Sequence, residues 1–161
     1  MTEGGSARTS TALLVLADSL AFHGPERAEP ADDPRLWPNI AAAALGTRTE
    51  LVAGAGRTAR HAWHALIHDP RVWAAVPHAR ALVLGVGGMD ALPSPLPTAL
   101  RELIPVLRPP RLRSFVRSGY LRAQPNLARS FARLPGGGPV ALPPRLTVSH
   151  LERCRAAVTA L

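Results

Sequence analysis

Apolar and polar residues are arranged along this chain so that segments typical of strands alternate with segments typical of helices. The apolar run ALLVL at 12–16 ends at the turn-forming tripeptide 17–19 and is typical of a strand buried on both faces of a parallel sheet. The short segment at 50–53 and the apolar run at 81–86 are each followed by glycines and predict the second and third strands. Helix-forming residues predict a helix at 36–45, and the helical spacing of apolar residues predicts helices at 58–68, 96–107 and 111–133. A last helix is predicted at 147–161, where a threonine is placed to cap it.

Local signals mark the ends of these helices. Gly46 stands just past the first helix, where a glycine C-cap is common, while Thr58 and Thr147 are placed to cap the helices that follow them. Pro105 interrupts the helix at 96–107, because proline lacks the N–H that a helix interior needs. In the Arg-rich helix, four residues are predicted to pack on one side: Leu112, Phe115, Val116 and Tyr120.

The order of strands and helices predicts an α/β fold, because parallel strands need right-handed helical crossovers. We expect a three-layer αβα, flavodoxin-like arrangement around a parallel sheet of about three strands. Residues 1–161 are assigned to one domain, within which 108–145 is an Arg-, Pro- and Gly-rich insertion that ends in a loop at 134–144. Three strands leave an apolar edge uncovered and the chain ends on a predicted helix, so we expect the domain to be incomplete.

Composition narrows the classes of partner. The 161 residues are 47% hydrophobic, which is typical of a globular protein, and all 19 basic residues are arginine, which leaves a net charge of +8. This charge is spread along the chain and only 4% of residues are aromatic, so we expect no nucleic-acid partner. The arginines remain compatible with binding an anionic group, such as a carboxylate or the phosphates of a carrier thioester.

The pattern of residues argues against disulfide, metal-binding and membrane-spanning functions. Cys154 is the single cysteine, so neither a disulfide nor a CxxC metal site is predicted. His61, His64 and His68 share a helical spacing, but no carboxylate or thiolate completes a ligand set at typical spacing, and we interpret them as a polar helix face with no metal or cofactor. The polar start of the chain and its short apolar runs predict neither a signal peptide nor a membrane span, which favours the cytoplasm.

The candidate chemistry lies where the predicted strands end. Open α/β sheets place their functional groups at the carboxyl ends of the strands, and here those ends carry a serine, a glycine turn and a second glycine turn with an aspartate. A hydroxyl nucleophile beside glycine N–H groups suits acyl transfer, although a serine capping a turn and glycines making tight turns would also explain the pattern. The candidate residues are Ser19 as nucleophile, Gly56 as oxyanion donor, and Asp18, Gly88, Met89 and Asp90 as supporting residues.

These segments resemble the sequence blocks of the SGNH/GDSL hydrolase superfamily. The first block appears as ADSL at 17–20, the second as GRT at 56–58 and the third as GGMD at 87–90. The resemblance implies that Ser19 is the nucleophile and that the backbone N–H groups of Ser19 and Gly56 form the oxyanion hole.

Two features depart from that family's pattern. Met89 occupies the position of an asparagine that would donate a third hydrogen bond, and a nearby backbone N–H would have to replace it. No Asp-x-x-His sequence, which supplies the family's acid and base, occurs in these residues, and no histidine is assigned in its place. We therefore expect the 161 residues alone to show little or no turnover.

The chain is also similar, over nearly its whole length, to the actinobacterial diglucosylglycerate octanoyltransferases. The similar stretches include LLVLADSLAFHGP, ADDPRLWPN and GGMDALPSPLPTALRELI. This resemblance implies that GGMD is an ordinary form of the third block, that octanoyl-CoA is the acyl donor, and that a glucosylglycerate hydroxyl is the acceptor on the route to methylglucose lipopolysaccharides. Transfer is favoured over hydrolysis by the resemblance alone, so a GDSL-type esterase and a non-catalytic module that binds an anionic ligand remain alternatives.

Overall fold

A computed structural model of the chain describes residues 12–23, 27–94, 96, 98–134 and 138–160. Parts of the two predicted loops, at 24–26 and 135–137, lie outside the described residues, as does residue 161 at the predicted end of the last helix. The strands are β1 (Ala12–Ala17), β2 (Arg48–Ala53) and β3 (Ala79–Gly85), and the helices are α1 (Trp37–Ala44), α2 (Ala59–His68), α3 (Pro70–Ala75), α4 (Thr98–Leu103), α5 (Pro110–Ala132) and α6 (Pro144–Thr159).

The three strands form one parallel sheet in the order β2-β1-β3. Val15 of β1 pairs with Leu51 on one side and with Val83 on the other, so β1 is the central strand. Every residue of β1 is buried, as a strand covered on both faces requires. The predicted parallel sheet of three strands is confirmed for the described residues, and the ends of the strands differ from prediction by one or two residues.

Helices cover both faces of the sheet. On one face, Leu13 and Val15 pack with Ala42 of α1. On the other face, Leu14 and Leu16 belong to a core cluster with residues of α2, α3 and α6, namely Ala62, Ala65, Leu66, Val72 and Cys154. The alternation of side chains along β1 therefore divides the core into two layers, and the predicted αβα arrangement is confirmed.

The observed helix ends agree with two of the three predicted caps. Gly46 has a φ of +63° just after α1, and Thr58 is the N-cap of α2, as predicted. The cap predicted at Thr147 is wrong, because α6 already begins at Pro144 and the carbonyl of Pro143 accepts hydrogen bonds from the first-turn N–H groups. Proline is well suited to the first helical turn, where its missing N–H has no partner to lose.

Two other segments differ from prediction. Helix α3 was not predicted, although Asp69 caps it by accepting a hydrogen bond from the N–H of Arg71. The helix predicted at 96–107 is shorter, since α4 gives way to a 3-10 turn at Ile104–Val106 that contains the interrupting proline.

The Arg-rich helix is confirmed as α5, but its packing is not as predicted. Leu112 and Phe115 are exposed, with 77% of the Phe115 surface accessible, whereas Val116 and Tyr120 are half-buried. The main neighbour of α5 is the 3-10 turn at Ile104–Val106. This helix therefore extends along the surface of the protein instead of entering the core.

Candidate functional site

Hydrogen bonds hold the carboxyl ends of the three strands together. The N–H of Asp18, the residue after β1, donates to the carbonyl of Gly85 at 3.1 Å. The N–H of Gly54, the residue after β2, donates to the carbonyl of Ala17 at 3.2 Å. The loops that follow β1, β2 and β3 therefore start from one edge of the sheet, where open α/β sheets carry their sites.

Asp18 positions the start of the loop that carries Ser19. Asp18 is buried, and its Oδ1 accepts a hydrogen bond from the N–H of Leu20 at 2.9 Å, which caps a 3-10 turn at Ser19–Ala21. Ser19 itself is half-buried, and its carbonyl accepts from the N–H groups of Phe22 and His23. Ser19 is thus carried on a capped turn and is partly accessible to solvent.

Gly56 forms the tight turn after β2. Its φ of +68° lies in the left-handed region, which favours glycine. A Cβ at this position would lie 4.0 Å from Cε of Met89, so the β3 loop lies beside the β2 loop. Within the described part of the chain, the backbone N–H groups of Ser19 and Gly56 donate no hydrogen bond. Both donors are available to a ligand, and their assignment to an oxyanion hole stays a prediction.

Asp90 joins three elements below the surface. Only 2% of it is exposed, and its two carboxylate oxygens lie 3.1 and 3.2 Å from the N–H of Ala59, at the start of α2. Its Oδ2 also accepts from the hydroxyl of Thr147 in α6 at 2.8 Å. Gly88, also predicted at the site, is exposed, and a Cβ added to it would meet no atom within 4 Å. Asp90 therefore stabilises the loops of the site from the protein interior, whereas Gly88 lies at the exposed surface.

The start of α2 is further tied to α4. The N–H of Thr58 donates to Nδ1 of His61 at 3.1 Å, so the proton of a neutral His61 ring resides on Nε2. That Nε2 lies 3.1 Å from Oε1 of Glu102. The other carboxylate oxygen of Glu102, Oε2, lies 3.3 Å from Nη2 of Arg60. Sequence reasoning found Thr58 as a cap but missed His61, because the usual glutamate of a capping box is replaced by histidine.

An apolar cavity of about 510 Å³ adjoins Asp90. The N–H of Leu142, in its wall, donates to the carbonyl of Asp90 at 3.0 Å. The cavity is lined mainly by apolar groups, including Val140, Ala141, Leu142 and Leu146, with Arg60, Thr98 and His150 as its polar members. The wall of this cavity is therefore hydrogen-bonded to the residue that follows Met89, the neighbour of Gly56.

His150 contributes an unusual nitrogen to this cavity. Its Nδ1 is shielded from solvent and has no hydrogen-bond partner in the described part of the chain. Burial, followed by the positive charge of Arg153 and Arg60, lowers the pKa of His150 below its ordinary value. Protonation of the ring is consequently less favourable than for a free histidine side chain. The sequence offered no signal that His150 would line a cavity, because its placement depends on which face of α6 packs against that cavity.

The histidines of α2 do not form a metal site. His64 and His68 meet edge to face, with ring centroids 5.6 Å apart. Across the described ranges, no group of three or more His, Cys, Asp or Glu side chains could hold a metal ion. No helix in this part of the chain is long and apolar enough to cross a membrane.

The fold and site together define an α/β protein with a doubly wound parallel sheet and a partly exposed serine at the carboxyl end of the central strand. The chain is similar to the diglucosylglycerate octanoyltransferase of Mycobacterium tuberculosis, with 53% identity over 147 residues, which are 91% of this chain and 57% of that protein. It is also similar to the diglucosylglycerate octanoyltransferase of Mycolicibacterium hassiacum, with 51% identity over 146 residues, which are 91% of this chain and 58% of that protein. The predicted resemblance to these enzymes is confirmed, and the chain spans a little over half the length of the curated relatives it matches.

Neither a protein-family model nor a solved structure matches the chain.

Proposed function

We propose that the whole protein is a serine acyltransferase of the SGNH/GDSL type. It moves an octanoyl group from a CoA thioester to a sugar hydroxyl of a glucosylglycerate, in the synthesis of methylglucose lipopolysaccharide. The observation that carries this proposal is the placement of Ser19, half-buried on a capped turn at the carboxyl end of the central strand. The names of two relatives at 51 and 53% identity supply the substrate class. Both the acyl donor and the sugar acceptor are small molecules, and we place the enzyme in the cytoplasm.

The reaction proceeds in two displacements. The Ser19 hydroxyl loses its proton to a general base as its oxygen attacks the thioester carbonyl, and the resulting oxyanion is bound by the backbone N–H groups of Ser19 and Gly56. The carbon–sulfur bond breaks, the thiolate leaves and takes up the proton, and Ser19 retains the octanoyl ester. A sugar hydroxyl then loses its proton to the base as its oxygen attacks that ester. The bond between the acyl carbon and the Ser19 oxygen breaks, the base returns the proton to that oxygen, and the octanoylated sugar leaves. The base is not assigned to any of the six histidines of this chain.

The apolar cavity beside Asp90 is suited to the octanoyl chain. Burying a methylene group is favourable by about 0.8 kcal/mol, so an eight-carbon chain gains substantially from an apolar wall. Leu142 and Leu146 supply such a wall, and the bond from Leu142 to Asp90 holds it next to the loop that carries Met89. The cavity supports an acyl substrate in preference to a purely polar one.

A GDSL-type esterase would use the same residues, with water replacing the sugar hydroxyl in the second displacement. The two reactions differ only in the acceptor. The whole protein, supplied with octanoyl-CoA and diglucosylglycerate, should form the acylated sugar. Release of free octanoate without acylated sugar would favour the esterase.

The Ser19→Ala variant tests the nucleophile. We expect transfer to fall by at least roughly 10³-fold, as for other nucleophile deletions, while the fold is retained. Ser130→Ala, which removes an exposed serine hydroxyl from α5, is the matched control and should transfer at the wild-type rate. Transfer that survives Ser19→Ala would overturn the proposal, and ligand binding without any transfer in the wild type would favour the non-catalytic module.

A further inference from the structure

Helix α5 concentrates positive charge on an exposed element. Residues 110–133 contain six arginines and no acidic residue. A run of like charges is ordinarily a solvated surface, so the charge alone does not define a site. The structure adds two independent features.

The first feature is a cavity. A space of about 880 Å³ lies between α5 and Ile104 of the preceding 3-10 turn. Residues four apart on a helix share a face, and this spacing brings two arginines and two serines to the cavity. Its polar lining consists of Arg113, Ser114, Arg117, Ser118 and Tyr120.

The second feature is the hydroxyl of Tyr120. This oxygen is shielded from solvent and has no hydrogen-bond partner among the described residues. A buried hydroxyl without a partner is destabilising, and native structures usually satisfy such groups. Tyr120 lines the cavity, so a ligand that accepts hydrogen bonds there would provide the missing partner once the hydroxyl turns toward it.

The cavity is connected to the candidate site through α4. Ile104 follows Glu102 by two residues, and Glu102 pairs with Arg60 and His61 at the start of α2. Helix α2 begins directly after the turn that contains Gly56. The cavity and the candidate site are therefore linked through the first turn of α2.

We propose that this cavity binds the phosphate groups of a nucleotide-bearing acyl donor such as CoA. The inference rests on the proposed function for the identity of the donor, but the location of the site comes from the cavity. Phosphate oxygens accept hydrogen bonds from several donors at once, and guanidinium groups bind them in a bidentate manner. The guanidinium group of Arg117 and the three hydroxyls together provide more donors than a single carboxylate accepts, so a phosphate ligand fits better than the carboxylate of the acceptor.

Calorimetric titration of the 161-residue chain tests this site. The ligands are CoA, dephospho-CoA, which lacks one phosphate, and pantetheine, which lacks all of them. CoA should bind most tightly, and its affinity should fall as the salt concentration rises. Arg117→Gln should weaken CoA binding about tenfold and Tyr120→Phe a few-fold, whereas neither should affect pantetheine.

Arg122→Gln is the matched control, because it removes an equal charge from an exposed position of α5 outside the cavity. Equal weakening by Arg117→Gln and Arg122→Gln would show diffuse attraction and overturn the site, as would no binding of CoA. Binding of polynucleotide or anionic vesicles that CoA does not displace would overturn it as well.

Kinetics of the whole protein separate this inference from the proposed function. Arg117→Gln should raise KM for octanoyl-CoA and leave KM for octanoyl-pantetheine unchanged. If octanoyl transfer occurs but KM for octanoyl-CoA is unchanged, the phosphate site is wrong and the function stands. If KM rises for diglucosylglycerate instead, the arginines bind the acceptor and the inference is wrong. If the wild type transfers no octanoyl group while CoA binding follows the expected pattern, the function is wrong and the site stands.

Discussion

The hydroxyl of Thr147 donates a hydrogen bond of 2.8 Å to the carboxylate of Asp90, although 57 positions separate the two residues in the sequence. Asp90 belongs to the loop that follows β3, and Thr147 lies in the first part of α6. The same carboxylate accepts from the N–H of Ala59 at the start of α2. One buried side chain therefore holds together two helices and the loop that carries Met89.

Removing the Asp90 carboxylate should destabilise the fold strongly. In Asp90→Ala, the N–H of Ala59 and the hydroxyl of Thr147 both lose their partner, which should cost about 2–4 kcal/mol in the free energy of unfolding. Thr147→Val should cost about 1 kcal/mol, because the carboxylate keeps its bonds to α2. Thr159→Val, an exposed change at the end of α6, is the control and should change the unfolding free energy by less than about 0.5 kcal/mol, as measured by urea denaturation. Equal values for Thr147→Val and Thr159→Val would show that the bond to Asp90 contributes nothing.

Gly56 and Gly88 provide a matched pair for testing backbone conformation. Gly56→Ala places a side chain at a φ of +68° and should cost about 1–2 kcal/mol of stability, even though a Cβ there would only reach ordinary contact with Met89. Gly88→Ala meets no neighbour within 4 Å and does not occupy the left-handed region, so its unfolding midpoint should match that of the wild type. Thermal and urea denaturation of both variants measure the difference. A Gly56→Ala variant as stable as Gly88→Ala would contradict the conformational argument.

Stability should decline on acidification because of His150. Burial, followed by the charges of Arg153 and Arg60, lowers the pKa of the folded ring, so protonation favours the unfolded chain. The contribution of the neutral ring is complete above the unfolded pKa of about 6.5 and is lost as the pH falls from there through the lowered folded pKa. His150→Gln should flatten the dependence of the unfolding free energy on pH in this range. Arg122→Gln, a change at an exposed position of α5, is the control, and an unchanged slope in His150→Gln would contradict the prediction.

The cavity beside Asp90 should determine acyl-chain selectivity if it holds the octanoyl group. Leu146→Trp narrows the cavity and should reduce the preference of the whole protein for octanoyl-CoA over butanoyl-CoA by roughly tenfold, as expected for methylene groups that lose their pocket. Val148→Trp adds an equally large ring to an exposed position of the same helix and should leave the ratio of kcat/KM values unchanged. A selectivity that does not respond to Leu146→Trp would place the acyl chain elsewhere.

The sequence by itself determined the features that depend on neighbouring residues. The apolar run of β1 specified a strand buried on both faces, Gly46 and Thr58 marked helix ends, and the glycine turns after the strands indicated where Ser19 and Gly56 would lie. Each of these signals acts within a few residues, because it reflects side-chain burial along one element or the φ that one turn requires.

Only the tertiary structure decided which distant groups meet. Thr147 was predicted as a helix cap, but the helix starts at Pro144 and the threonine hydroxyl is directed to Asp90 instead. The exposure of Phe115 and the unpartnered hydroxyl of Tyr120 likewise depend on what packs against α5 in the described part of the chain, which the amphipathic pattern of that helix does not specify. Partners separated by tens of residues are selected by the geometry of the whole fold, since a hydrogen bond or an apolar contact forms only where the backbone brings the two groups within reach.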